Sequence, residues 1–251
     1  MSSIEIIPPG GTLAISPESS GFAHGYGIFE TVRVRSGRLE LWKAHWHRMV
    51  RSAGSLNIHC PFGQDEALQS VKVLAKDLPG DAVIKLSLVK EDGASKLYIY
   101  SRTLLPLPDR IGLLLDCSVR IDEASPQAGH KSHNYLENML VLEAAHKAGC
   151  YDGLRSNTQG QLAEGAVSNL FFLREETWHT PALSCGLLPG VVREVLVQSL
   201  PVEEGNFQTA DLRSADAVFL TNASVGLLPV DFLRSGGTVV QVGSREQHSY
   251  R

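Results

Sequence analysis

The sequence predicts a mixed α/β chain, an α+β arrangement whose strands and helices divide into two domains. Three observations carry this reading. Apolar–polar alternation marks strands at 28–35, 83–89 and 96–101. Amphipathic helical spacing fills 42–56 and 65–77 between them. The run Leu104-Leu-Pro-Leu-Pro-Asp-Arg110 then breaks the chain with prolines before a second series of apolar strands begins. The 251 residues suit one large domain or two smaller ones sharing a cleft. The prolines favour a small α/β domain over 1–106 and a larger one over 111–251, with a linker at about 105–110.

Taken in order, 4–7 and 11–15 read as short strands around the Pro-Pro-Gly-Gly turn. Gly25 and Gly27 let the chain turn tightly into the strand 28–35, and Ser36-Gly37 reads as a hairpin turn before a strand at 38–41. A nucleotide-binding glycine fingerprint is excluded here, because the third glycine is missing and a strand follows instead of a helix. In the helix 42–56, Trp42, Trp46, Met49, Val50 and Ala53 form the core-facing stripe, and His45, Arg48 and Ser52 share another face. Arg48 stands where a guanidinium could grip a phosphate bidentately; a solvated helix arginine fits the same position. The turn Glu91-Asp-Gly-Ala joins two strands, and 111–120 reads as an apolar strand.

Lys131 lies in Gln127-Ala-Gly-His-Lys-Ser-His-Asn-Tyr-Leu-Glu-Asn-Met-Leu140, where an irregular segment turns into a helix. Leu136, Met139, Leu140 and Ala144 recur at helical spacing, which places the lysine at the foot of a packed element that Gly149 stops. A lysine so held, with its neutral amine favoured, could form a Schiff base with an aldehyde cofactor. Downstream, 153–157, the turn at 158–161 and 162–173 form a hairpin-like unit containing Glu164 among apolar neighbours. A buried carboxylate needs a partner; a pyridinium N–H would serve, and so would a structural hydrogen bond. Gly190 opens a helix over 191–200 whose first N–H groups make a ready anion site. The turn Thr221-Asn-Ala-Ser-Val-Gly226 could supply more such groups.

Composition narrows the partners. A formal charge of −4 and a pI near 6.1 leave no basic excess for nucleic acid. No apolar run reaches membrane-spanning length, and the N-terminus lacks the features of a signal peptide. Cys60, Cys117, Cys150 and Cys185 are scattered without the spacing of a zinc or redox pair, so no metal is expected and a reducing cytoplasm is the natural location.

With these residues laid out, the sequence resembles the fold-type IV pyridoxal-phosphate enzymes, the class IV aminotransferase family. The resemblance rests on Gly25-Tyr-Gly-Ile-Phe-Glu-Thr-Val-Arg-Val, His45-Trp-His-Arg-Met, Lys131-Ser-His-Asn-Tyr-Leu, Ala163-Glu-Gly-Ala-Val-Ser-Asn-Leu-Phe, Thr180-Pro and Gly190-Val-Val-Arg, and it spans nearly the whole chain. It implies a homodimer whose small α/β domain and larger pseudo-barrel domain hold pyridoxal 5'-phosphate between them. It further implies that Lys131 is the Schiff-base lysine and proton shuttle, that Glu164 keeps the pyridine nitrogen protonated, and that Arg48 grips the phosphate. Backbone N–H groups of Val191 and Val192 and the turn at Asn222, Ala223 and Ser224 would complete the phosphate cradle. The family often has threonine where Val192 stands. Three stretches look most like the 4-amino-4-deoxychorismate lyases of the family: Gly25-Tyr-Gly-Ile-Phe-Glu-Thr, Lys131-Ser-His-Asn-Tyr-Leu-Glu-Asn and Thr221-Asn-Ala-Ser-Val-Gly-Leu-Leu-Pro. The implied activity is therefore release of pyruvate to give 4-aminobenzoate for folate synthesis. The alternative is a D-amino-acid or branched-chain aminotransferase. Tyr26, Phe29 and Lys96 are the candidate substrate contacts. Tyr26 stands where aspartate is common, and the glycine- and arginine-rich turn of many relatives is replaced by Lys90-Glu-Asp-Gly-Ala-Ser-Lys-Leu-Tyr98. That leaves Lys96 or Arg102 to meet a substrate carboxylate.

Overall fold

The computed structural model describes residues 1–78, 80–91 and 93–242; the tail 245–251 that the sequence marks as frayed lies outside them. The chain forms two compact units, Met1–Leu105 with His130–Asn134, and Pro106–Gly129 with Tyr135–Arg251. The five residues around Lys131 thus return to the first unit, whereas the sequence reading left them in the second.

The first unit contains β1 (Ser3–Ile7), α1 (Ser20–His24), β2 (Gly27–Arg35), β3 (Arg38–Leu39), α2 (Trp42–Ser55), α3 (Gln64–Lys76), β4 (Ala82–Glu91) and β5 (Ala94–Arg102). Its five strands run in the order β1-β5-β4-β2-β3, antiparallel except for β1 on β5. Because side chains alternate across a strand, the register assigns each face. Ile28, Val32, Val34, Ile84, Leu86, Leu88, Leu97 and Ile99 share one face and form the core with Trp42, Trp46, Met49 and Ala53 of α2 and Ala67, Val71 and Leu74 of α3. Each such large side chain contributes about 1.5–3 kcal/mol on burial. Phe29, Lys85, Ser87, Tyr98 and Tyr100 line the opposite face.

The second unit contains β6 (Gly112–Leu114), α4 (Leu136–Lys147), β7 (Asp152–Ser156), β8 (Leu162–Gly165), β9 (Asn169–Arg174), β10 (Thr177–Pro181), α5 (Val191–Ser199), β11 (Val202–Gly205), α6 (Thr209–Arg213), β12 (Ala217–Asn222), β13 (Gly226–Pro229), β14 (Phe232–Ser235) and β15 (Thr238–Gln241). Among the described residues its sheet is branched: a path β11-β10-β9-β8-β7-β6-β14-β15, with β12 joining β9 and β13. Leu154, Leu162, Leu170, Phe172, Val218 and Leu220 fill its main core.

Several expected elements differ, each for a local reason. Residues 11–15 form no strand, since they are largely exposed and no neighbour completes their backbone pairing. The strand expected over 38–41 stops at Leu39 because Leu41 turns left-handed, φ 51°, to start α2. The strand expected over 111–120 is only three residues long; its partner β14 ends in the turn at Ser235, so pairing runs out. On α2, Val50 is 42% exposed while His45, Arg48 and Ser52 are buried, so the polar face packs inward and meets a buried carboxylate. On α4 the stripe is also reversed. Val141 and Ala145 are buried, whereas Leu136, Met139 and Leu140 are 72%, 43% and 50% exposed. Helix packing therefore does not hold Lys131.

Candidate active site

Pairing to β2 holds it. Phe29 N–H donates to Lys131 O at 2.8 Å and His133 N–H to Gly27 O at 2.9 Å, while Ile28 and Ser132 form an antiparallel bridge. The close approach explains the two glycines. Gly25 has φ 62°, and a Cβ there would lie 2.6 Å from Asn134 Oδ1. A Cβ on Gly27 would lie 2.7 Å from His133 Nδ1 and 2.9 Å from Leu88 O. The segment is further tied to α2 by His130 Nδ1 and Ser52 Oγ, 3.0 Å apart.

Lys131 Nζ sits 4.6 Å from the Phe29 ring centroid, and Lys85 Nζ sits 3.9 Å from the same ring. Burial, aided by the charge of Arg102, lowers the Lys85 ammonium to about 8. His133 hydrogen-bonds Ser87 Oγ at 2.7 Å; burial, then the Lys85 charge, pushes it down to about 4, so the imidazole is neutral near pH 7. An aromatic wall thus gathers two amines, a neutral imidazole and a hydroxyl on one face of the sheet.

Arg48 is buried on the core side of the same sheet. Its Nε and Nη2 donate to Glu30 Oε1 and Oε2 at 2.8 and 2.7 Å, and His45 Nδ1 is 2.7 Å from Oε2. Burial raises the Glu30 carboxyl, but the Arg48 charge and hydrogen bond and the His45 ring outweigh it and bring the pKa to about 2. The fork pairing fixes the guanidinium plane.

The substrate contacts read from sequence fare unevenly. Phe29 lies at the centre of the wall. Tyr26 spends its hydroxyl on Leu56 O at 3.1 Å, and Lys90 caps its ring at 4.4 Å. Lys96 lies between Glu5 and Glu91, 3.3 and 3.4 Å away, so its charge is already matched. Arg102 is exposed at the end of β5.

In the second unit the register places Glu164 beside Asn169, and Asn169 beside Thr221. Glu164 Oε2 accepts from Leu188 N–H at 3.0 Å and Asn169 Nδ2 at 3.3 Å. Asp152 braces the turn that links Glu164 to Asn169. It is fully buried and accepts from the N–H groups of Gly153, Ala166 and Val167 and from Ser168 Oγ at 2.6 Å. Burial lifts this carboxyl to about 6 against those hydrogen bonds. Gly190 caps α5 with no side-chain hydrogen bond, and a Cβ there would lie 2.0 Å from Asn169 Oδ1. The first turn of α5, with Val191 and Val192, therefore starts against the side chain of Asn169, the partner of Glu164. The 222–224 turn differs from expectation. Ser224 N–H donates to Asn222 Oδ1 at 2.8 Å, so that amide is already engaged in an Asx turn. Thr221 Oγ1 in the same row is buried without a hydrogen-bond partner.

Sequence reasoning passed over Glu30, Lys85, Ser87, His133, Asp152 and Asn169. Alternation along β4 alone puts Lys85 and Ser87 on one face, but only the cross-strand register shows that Phe29 shares it.

The residues present fit pyridoxal phosphate: a half-buried lysine, a carboxylate oriented by two donors, and a helix N-terminus that a glycine leaves without a side-chain cap. Residues 27–232 match the amino-transferase class IV family. A probable branched-chain-amino-acid aminotransferase of Thermotoga maritima is 29% identical over 209 residues, 81% of this chain and 76% of that one. An aminodeoxychorismate lyase of Bacillus subtilis is 27% identical over 234 residues, 86% of this chain and 80% of that one. The crystal structure of 4-amino-4-deoxychorismate lyase from Pseudomonas aeruginosa superposes with a TM-score of 0.81 at 27% identity, covering 93% of this chain and 92% of that one. The chain belongs to the class IV aminotransferase family and is a fold-type IV enzyme with pyridoxal 5'-phosphate as its cofactor.

Proposed function

We propose that the protein is a 4-amino-4-deoxychorismate lyase, releasing pyruvate and leaving 4-aminobenzoate for folate synthesis. The observation that carries this reading is the Phe29 wall, where a ring face and the Lys85 ammonium stand beside Lys131. A planar, carboxylate-bearing ring suits that wall better than a branched aliphatic side chain. The lyase relatives at 27% identity support it.

When bound, the cofactor supplies an aldehyde carbon for the lysine amine and an electron-withdrawing ring. Lys131 Nζ would take the proton from the substrate carbon that bears the amino group; the electron pair left behind expels the enolpyruvyl oxygen from the adjacent carbon as the substrate ring becomes aromatic, and the lysine passes the proton to the leaving enolpyruvate, which becomes pyruvate. Glu164, oriented by Leu188 N–H and Asn169, would meet the ring nitrogen of the cofactor. Arg48, held flat by Glu30, would be a cation for the phosphate, and the amides of Val191 and Val192 with Ala223 N–H and the Ser224 hydroxyl would be its donors from the second unit. Lys85 replaces Lys96 as the cation for a substrate carboxylate.

The second reading, a branched-chain or D-amino-acid aminotransferase, is favoured by the 29% identity to the Thermotoga protein. It requires a 2-oxo acid acceptor; the lyase requires none. Assaying 4-aminobenzoate from freshly generated aminodeoxychorismate without a 2-oxo acid separates the two. The homodimer is supported by the exposed Leu136, Met139 and Leu140 of α4; sedimentation at the 27.3 kDa mass of one chain would refute it. Free Cys60, Cys117, Cys150 and Cys185 fit a reducing cytoplasm, and no described helix is long and apolar enough to cross a membrane.

A further inference from the structure

The sheet face that carries Phe29 is unevenly charged. Unbroken register between β4 and β5 sets Lys85 opposite Tyr100 and Val83 opposite Arg102. Opposed residues share a face, so Lys85, Tyr100 and Arg102 are neighbours on the face of Phe29, Ser87 and Tyr98. Lys85 and Tyr100 are half-buried, and Arg102 stands exposed at the end of the face. Electrostatics confirm the proximity. Burial and then the Arg102 charge lower the Lys85 ammonium, and the same charge opposes the upward push of burial on the Tyr100 phenol.

Other cations on this face are matched. Arg33 meets Asp81 at 2.7 Å, and Lys96 lies between Glu5 and Glu91 at 3.3 and 3.4 Å. Among the described residues no carboxylate pairs with Lys85 or Arg102, and no protein group hydrogen-bonds the Tyr100 hydroxyl. The chain has a net charge of −4, so carboxylates are not scarce. Like charges side by side on a sheet are destabilising, and half-burying an ammonium without a counter-ion adds to that cost. An ammonium, a phenol and a guanidinium with unengaged donors together make the donor set of a carboxylate site.

The position of this cluster specifies the ligand. Lys131 Nζ and Lys85 Nζ both lie against the Phe29 ring, at 4.6 and 3.9 Å from its centroid. Phe29 is bonded to the lysine segment on one side, through its N–H to Lys131 O, and pairs with β4 on the other. Tyr100 lies one strand beyond Lys85, about 4.8 Å further from Lys131. An amino group at Lys131 and a carboxylate at the cluster are therefore held at opposite ends of one ring.

We propose that Lys85, Tyr100 and Arg102 form a carboxylate site that selects rings carrying an amino group and a carboxylate in the para arrangement. The inference rests on the lyase reading, whose product has that arrangement, and adds Tyr100 and Arg102 as specificity residues. The test titrates cofactor-loaded protein calorimetrically with 4-aminobenzoate, 2-aminobenzoate and 4-aminobenzamide. One equivalent of 4-aminobenzoate binds, and the other two bind at least about tenfold more weakly for want of charge-assisted hydrogen bonds in place. Arg102→Gln and Tyr100→Phe, melting with the wild type, each weaken 4-aminobenzoate about three- to fivefold and leave 4-aminobenzamide unchanged. Equal affinity for acid and amide, wild-type affinity in both variants, or parallel loss of acid and amide overturns the proposal. Turnover of aminodeoxychorismate by the same proteins separates the two readings. The binding pattern without release of 4-aminobenzoate removes the lyase and keeps the site; release with KM unchanged in both variants keeps the lyase and removes the site.

Discussion

Glu30, Arg48 and His45 illustrate how one buried charge sets the chemistry of its neighbours. Glu30 titrates near 2 in the folded protein, against about 4.3 for a free glutamate. Its contribution to stability is therefore complete above about pH 4.3 and lost as the pH falls through 2. Arg48→Met leaves the buried carboxylate with the His45 ring but without its guanidinium, which costs about 3–5 kcal/mol. Glu30→Leu combined with Arg48→Met recovers much of that loss, and urea denaturation of the four proteins reads the coupling. A double-variant cost equal to the sum of the two single-variant costs would show that the pair is uncoupled. Burial lowers Lys85 to about 8, so the cation proposed for the substrate carboxylate fades as the pH rises through that value. Lys85→Met is expected to raise KM about 30-fold or more at pH 7, as for a buried charge losing its partner, with a smaller change in kcat. Lys85→Arg is expected to retain binding above pH 8, where the wild type loses it. A fall in kcat at constant KM would remove Lys85 from substrate recognition. Neither residue pair was legible from composition or spacing. Glu30 lies within an apolar strand, and its partners are 15 and 18 positions away.

At the scale of elements, the sequence located strands and helices well where periodicity was long and failed where packing decides the face. The helices α2, α3 and α5 and the strands β2, β4, β5 and β7 begin and end within about two residues of the limits that the pattern implies, whereas the single arm expected over 162–173 divides into β8 and β9 at the turn that Asp152 braces. Both helix-face errors have one origin. A hydrophobic stripe signals burial only if a neighbour covers it, and α4 buries its Val141–Ala145 side against β7. The Gly25-x-Gly27 pair, read on sequence as a tight turn into a strand, proves also to be the place where the lysine segment joins β2. Gly27→Ala presses a methyl group onto His133 Nδ1 and Leu88 O. Because Leu88 is fixed in β4, His133 and the lysine segment must move. A loss of about 1–3 kcal/mol is expected, together with slower reaction of Lys131 with pyridoxal phosphate, followed by absorbance. Gly54→Ala, where a Cβ meets nothing within 4 Å, is the matched control and is expected to be neutral or stabilising. Equal behaviour of the two variants would contradict the clearance argument.

For the whole molecule, the class IV family and its cofactor follow from motifs that run in order along the chain and from the match over residues 27–232. Lys131, Glu164 and Arg48 were identifiable as candidates because each sits in such a motif. The proposed substrate side was not, because it depends on a sheet face assembled from β2, β4 and the returning 130–134 segment, which no local pattern encodes. Lyases and transaminases share the cofactor machinery, so the account turns on what the enzyme releases. The most direct measurement supplies cofactor-loaded protein with freshly generated aminodeoxychorismate and no 2-oxo acid, with Lys131→Ala as control. The account requires 4-aminobenzoate and pyruvate in equal amounts, both absent from the control. Cofactor-loaded protein that forms no 4-aminobenzoate, yet transfers amino groups once a 2-oxo acid is added, would contradict it and establish the transaminase.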